Sequence, residues 1–162
     1  MKFKNIGINL VKLYSLIISN ENISKYVYYL NHNPLASPDV PIDLKKEGYY
    51  ILSLFDGGIP EEEKIRLFLN PSICNFEKYP LSEISYILEL VIPNKWWVLE
   101  GLGELRGYAI MDEIAQMIDQ QSVAGVGEVE ITHCRTSRIT GSEYSVLTAI
   151  IKVRSVALKG MR

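Results

Sequence analysis

Residues 128–157 read EVEITHCRTSRITGSEYSVLTAIIKVRSVA, and this stretch decides the fold class. Glu128 to Arg138 and Tyr144 to Ala157 read as two strands. Thr140-Gly141-Ser142 supplies turn residues between them, so the segment predicts an antiparallel hairpin. Its second strand is long: 14 residues, where about five or six are usual. Such a strand is expected to reach beyond its own sheet or to line an assembly. Lys152 and Arg154 interrupt its apolar alternation. Together with Ile150 and Val153 they are the leading candidates for a strand shared between subunits by β-augmentation.

Upstream of the hairpin, Val123 to Gly127 reads as a glycine-rich turn, and Glu104 to Gln120 as a helix. Leu105, Tyr108, Ile110, Met111, Ile114, Met117 and Ile118 give that helix a broad apolar face. Lys95 to Leu99 is a short apolar piece, read as a strand, with Trp96 and Trp97 adjacent. Glu83 to Ile92 alternates most clearly, with Ile84, Tyr86, Leu88, Leu90 and Ile92 on one face. Lys64 to Leu69 reads as a strand stopped by Pro71. Tyr49 to Phe55 reads as another, closed by Asp56-Gly57-Gly58.

The first 47 residues have a different texture. Phe3, Ile6, Leu10, Leu13 and Ile17 recur at three- and four-residue steps and make one helical stripe. Asn20-Glu21-Asn22 breaks it and offers a cap to a second helix, Ile23 to Leu30, which carries Tyr26, Tyr28 and Tyr29. Pro34, Pro38 and Pro41 then fix an ordered, irregular connector. The expectation is an N-terminal helical arm and connector over 1–47 and a body over 48–162, compact overall. The fold class is α+β: a mainly antiparallel sheet with a long C-terminal hairpin packed on one main helix.

Composition narrows the function classes. The chain has 162 residues, 48% hydrophobic and 22% charged, with a net charge of −2. A domain of this size buries about two-thirds of the surface its extended chain exposes, so it needs no metal or disulfide to fold. A mean hydropathy of +0.07 leaves room for a subunit interface. No apolar run reaches the ~18 residues a membrane helix needs. Ile6 to Ile18, broken by Asn9, Lys12 and Ser15, reads as an amphipathic helix rather than a secretory signal. Cys74 and Cys134 form no CxxC pair and are expected to be reduced, buried thiols. Near-balanced charge gives no case for wrapping nucleic acid.

No motif converges on chemistry. Gly101-Leu102-Gly103-Glu104-Leu105-Arg106-Gly107 looks like a dinucleotide loop only faintly, since Arg106 stands where glycine is wanted and no βαβ unit follows. It is read as the turn into the helix. Alternation puts Glu128, Glu130 and Cys134 on one strand face and His133 on the other, so they form no metal or nucleophile set. No catalytic, cofactor or metal residue is therefore expected. Asp112, Glu113 and Asp119 read as a solvated helix face. Glu61-Glu62-Glu63 reads as a solvated loop, or as a channel-facing one in a ring, where acidic walls would let a duplex slide. Tyr28, Tyr29, Trp96 and Trp97 are candidate interface aromatics, because two adjacent tryptophans on a strand cannot both point inward.

With these elements in order, the chain resembles the small neck proteins of tailed bacteriophages, most nearly the tail-terminator (tail-completion, head-tail joining) group. The resemblance spans roughly residues 48–158. Leu105 to Ile114 looks like the body helix of such proteins. Gly125-Val126-Gly127 leading into Glu128 to Ile131 looks like the start of their last hairpin. Tyr28-Tyr29 and Asn33 to Asp39 look like the connector in some of them. The resemblance implies a virion protein: a homo-oligomeric ring, a hexamer by analogy, at the head-proximal end of the tail. Such a ring caps the tail tube, docks on a head connector, adaptor or stopper protein, and passes duplex DNA without specific binding or membrane contact. It would be assembled in the host cytoplasm. The alternatives are a portal-bound adaptor or stopper ring and, from other classes, a small soluble enzyme or a peptide-binding module.

Overall fold

A computed structural model describes residues 4–45, 50–51, 63–75, 81–101, 103–119, 121–123 and 126–156. The stripe read from the N-terminal sequence forms helix α1 (Lys4–Ser19). Asn20 ends it and caps α2 (Glu21–Tyr28), its side-chain oxygen accepting the Ile23 amide at 3.0 Å. A 3₁₀ turn at Pro34–Ala36 and a one-turn helix α3 (Ile42–Lys45) follow. The strands are β1 (Tyr50–Ile51), β2 (Arg66–Asn75), β3 (Leu81–Pro93), β4 (Gln121–Val123), β5 (Gly127–Arg138) and β6 (Tyr144–Val156). Helix α4 (Arg106–Ile118) joins β3 to β4.

The six strands make one sheet in the order β1-β2-β3-β6-β5-β4, antiparallel except for β1 beside β2. This is the α+β, hairpin-closed fold that the alternation predicted. One face of the sheet is the core. Ile84, Tyr86, Leu88, Leu90 and Ile92 of β3 and Leu147, Ala149, Ile151 and Val153 of β6 have no exposed surface. Full burial of each valine, leucine or isoleucine among them is worth about 1.5–3 kcal/mol. Leu10, Leu13 and Ile17 of α1, Ile23, Tyr26 and Val27 of α2, and Ile110, Ile114 and Ile118 of α4 complete the same cluster. Helix α1 is thus docked on the sheet, and α2 packs on α1 and α4. The Tyr86 hydroxyl, buried at the centre, donates to the Ile6 carbonyl at 2.9 Å.

Several local expectations are corrected. Pro71 does not stop β2; the strand runs on to Asn75 through a register shift between Pro71 and Cys74, where a missing amide is tolerated. Asn94–Trp96 is a 3₁₀ turn rather than a strand. Tyr108, assigned to the apolar face of α4, is 45% exposed. Cys134 is exposed, not buried. Its face is also corrected. A bulge between Thr132 and Cys134 inserts His133, at φ 56°, and shifts the alternation by one. Cys134 therefore stands opposite Ala149 on the core side, while Glu128 and Glu130 pair with Arg154 and Lys152 on the other side.

Candidate functional site

The N-terminal segment is locked to the body by one side chain that sequence reading passed over. Gly101 and Gly103, at φ 108° and 76°, turn the chain back so that Val98 bridges Leu105 and the Arg106 amide reaches the Trp97 carbonyl at 2.8 Å. Arg106 is fully buried at the first position of α4. A cation there opposes the α4 dipole, a cost of about 0.3–1 kcal/mol. Four charge-assisted hydrogen bonds, each worth about 1.5–3 kcal/mol, outweigh it. The guanidinium donates to the carbonyls of Trp96 (2.8 Å), Tyr26 (2.7 Å) and Tyr29 (2.8 Å), and to that of Asn31. The Tyr26 and Tyr29 carbonyls lie at the end of α2, where the dipole favours a cation. Burial lowers the Arg106 pKa to about 10, so the group stays charged at neutral pH.

This clasp positions most of the candidate aromatics. Tyr28 and Tyr29 are half-buried and meet edge to face at 5.0 Å. Trp97 packs on the core beside Gly107; a Cβ added there would lie 2.8 Å from the indole. Trp96 turns the other way, as the two-tryptophan reading required, although the backbone is a 3₁₀ turn. Its ring lies 5.1 Å from that of His32 and 4.9 Å from the Lys95 ammonium. Its indole nitrogen donates to Glu63 at 2.9 Å, and Lys95 pairs with the same carboxylate at 2.8 Å. Glu63, a candidate channel-facing residue, thus serves as a local anchor; Glu61 and Glu62 lie outside the described residues. His32 Nδ1 is 2.8 Å from the Val98 carbonyl, at the rim of a cleft of about 500 Å³ that includes Asn31, Asn33 and Glu100.

The strand proposed for sharing between subunits sits elsewhere than expected. β6 lies between β3 and β5 and pairs with both along its length, so it has no free edge for augmentation. Val153 is in the core. Ile150, Lys152 and Arg154 are half-buried on the opposite sheet face. Lys152 and Arg154 flank Glu83 at 3.5 and 3.4 Å, and Arg154 also reaches Glu130 at 2.9 Å. Strand length alone could not separate a central strand from a shared one. A strand apolar on one face and mixed on the other is what the middle of a one-sided sheet requires.

The acids of α4 are not simply solvated. Glu113 accepts the Asn22 amide at 2.9 Å and the Asn20 amide at 3.3 Å, fastening the start of α2. Asp119 accepts the Ile131 amide at 2.7 Å. Only Asp112 is exposed among the three. Partial desolvation raises the Cys134 thiol pKa, the opposite of an activated nucleophile. Among the described residues, no three metal-ligating side chains converge, and no helix is long and apolar enough to cross a membrane.

Two surfaces stand out among the described residues. The outer face of α1 carries Ile8, Val11 and Leu16, which are 45%, 52% and 37% exposed. Val11, Lys12, Ser15 and Leu16 line a cleft of about 370 Å³ with Val123 of β4. The second open surface is the outer edge of β5 beyond His133.

The sequence profile of one family, YomW, matches residues 20–153. The chain belongs to the YomW family. That family is phage-associated, and its match runs from the cap of α2 to Val153, taking in the whole clasp. No curated protein matches the chain. Among solved structures, a chain of the "Virion of native gene transfer agent (GTA) particle" superposes with a TM-score of 0.43 at 5% identity, over 65% of this YomW chain and 77% of that one.

Proposed function

We propose that this YomW-family chain is a structural protein of a phage virion, forming a homo-oligomeric ring at the neck that caps the tail tube and joins it to the head connector while DNA passes through. Membership of a phage-associated family supports the setting. The observation that carries the assembly is the composition of α1. Leu10, Leu13 and Ile17 cover the core, yet Ile8, Val11 and Leu16 leave a second apolar stripe facing out. The helix has no acidic residue in its first turn and no basic one in its last. A helix apolar around most of its circumference is stable in water when a neighbour covers it. In this reading the neighbour is the next copy. A closed ring covers every such stripe at once.

Tyr28, Tyr29 and Trp96, and Ile150, Lys152 and Arg154 on the sheet face away from the helices, are the further surfaces offered to adjacent rings. Native mass spectrometry of the purified chain tests the reading: a closed oligomer, sixfold by the neck resemblance, is expected. Val11→Glu with Leu16→Glu should reduce it to monomer while circular dichroism stays unchanged, since both side chains point away from the core. A wild-type chain that stays monomeric at high concentration refutes the ring.

A further inference from the structure

The outer edge of β5 is covered unevenly. β4 pairs with Gly127, Glu128 and Val129, and Asp119 takes the Ile131 amide. The bulge at His133 follows, and beyond it no described strand pairs with this edge. All six residues from His133 to Arg138 are exposed, although their neighbours Ser145, Leu147 and Ala149 across β6 are buried. An edge of this kind presents a row of unpaired amides and carbonyls ready to template another strand.

Its side chains say what that strand carries. Arg135 and Arg138 are basic, and no acid occurs from Ile131 to Ser142. Neither arginine has an ion pair among the described residues. Arg138 stands opposite Ser145 on the core side and Arg135 opposite Thr148 on the other side. The two charges therefore project to opposite faces of the sheet, three residues apart. Tyr108 flanks the edge from α4, its hydroxyl 2.9 Å from Thr136 Oγ1.

We infer that the open edge of β5, Cys134 to Arg138, receives an extended segment of a partner protein as an added strand, with two acidic residues three positions apart meeting Arg135 and Arg138. The occupant is another protein rather than a second copy of this chain for two reasons. No two of the 19 acidic residues here are three positions apart. Pairing the edge with itself about a twofold axis gathers four arginines on one seam with no carboxylate between them, which is unfavourable at each cross-strand contact. This assignment is independent of the ring reading, because it uses neither α1 nor the oligomeric state.

The test uses the full chain and a capped valine-threonine peptide with two glutamates three positions apart, alongside the same peptide with lysines. Backbone amide exchange is read residue by residue. The glutamate peptide should slow exchange at residues 134–138, and the lysine peptide should bind about tenfold more weakly, the effect of two cross-strand charge pairs. In the variant Arg135→Glu with Arg138→Glu the preference should reverse, with exchange in β3 and β6 unchanged to show that the sheet is intact. Equal binding of both peptides, protection elsewhere, or no protection at millimolar peptide overturns the proposal. Protection at 134–138 that rises with protein concentration alone also overturns it, in favour of a second copy.

Discussion

Arg106 and the pair Arg135 and Arg138 carry the same guanidinium in opposite settings. Arg106 has no exposed surface, and its donors meet four backbone carbonyls drawn from α2, the segment after it and the 3₁₀ turn. Arg135 and Arg138 are exposed on a strand edge and have no carboxylate partner among the described residues. The difference teaches where this molecule is finished and where it is not. At the clasp four guanidinium N–H groups are matched by carbonyls within the chain, and they tie the end of α2 to the start of α4. At the far end of β5 the described residues supply no matching groups, and the geometry is that of half an interface.

The comparison breaks first at the clasp. Replacing Arg106 with methionine keeps much of the apolar volume but leaves four inward-facing carbonyls without donors. Each buried acceptor left without a donor costs about 1–3 kcal/mol, so after partial relaxation a loss of roughly 3–5 kcal/mol is expected. For a chain of this length that corresponds to a fall in melting temperature of about 10 °C, readable by calorimetry. Arg106→Lys is expected to recover little, because three donors on a point charge do not replace a planar fork reaching four acceptors. A melting temperature within 2 °C or so of wild type would mean that the clasp is incidental.

Much of this fold was legible beforehand, and the two arginine settings show why the rest was not. The β3 face from Ile84 to Ile92, the α1 stripe and the Asn20 cap are local patterns, in which period or cap chemistry is set by residues within one turn or one strand. All three formed as read among the described residues, Phe3 of the α1 stripe lying outside them. Arg106 depends on carbonyls 75 to 80 positions away in sequence, and no periodicity carries that information. The available hint was an arginine at a helix start between Leu105 and Gly107, where a cation is out of place unless something else holds it. The bulge at His133 inverted the facing of Cys134 for a similar reason: one inserted residue resets a period of two, and alternation cannot report its own interruption. The length of β6 suggested an outer strand because length reports neither neighbour.

A smaller effect sharpens the closed side. Gly107 follows Arg106 on α4, and a Cβ there would lie 2.8 Å from Trp97 Cη2 and 3.1 Å from Leu147 Cδ1. Gly107→Ala gains up to about 1 kcal/mol of helix propensity, but overpacking costs about 1–3 kcal/mol. The indole is fixed between the core and the turn that the clasp holds, so the packing cost should win. A net loss of about 1 kcal/mol is expected by urea denaturation. If Gly107→Ala is instead stabilising, Trp97 has room to move and the clasp is looser than its hydrogen bonds imply.

The smallest effect lies on the open side, and its smallness is the point. Arg135→Ala with Arg138→Ala removes two charges that no described residue uses, so stability should change by no more than about 0.5 kcal/mol. Exposed side chains on an unpaired edge have little to lose on folding, whereas Arg106 loses everything its donors made. A double variant that unfolds several degrees early would show that these arginines are already engaged within the chain, and the contrast between a closed clasp and an open edge would fail. With stability unchanged and strand addition lost, the same two residues are assigned to recognition, because a side chain that contributes nothing to the fold is free to be selected by a partner.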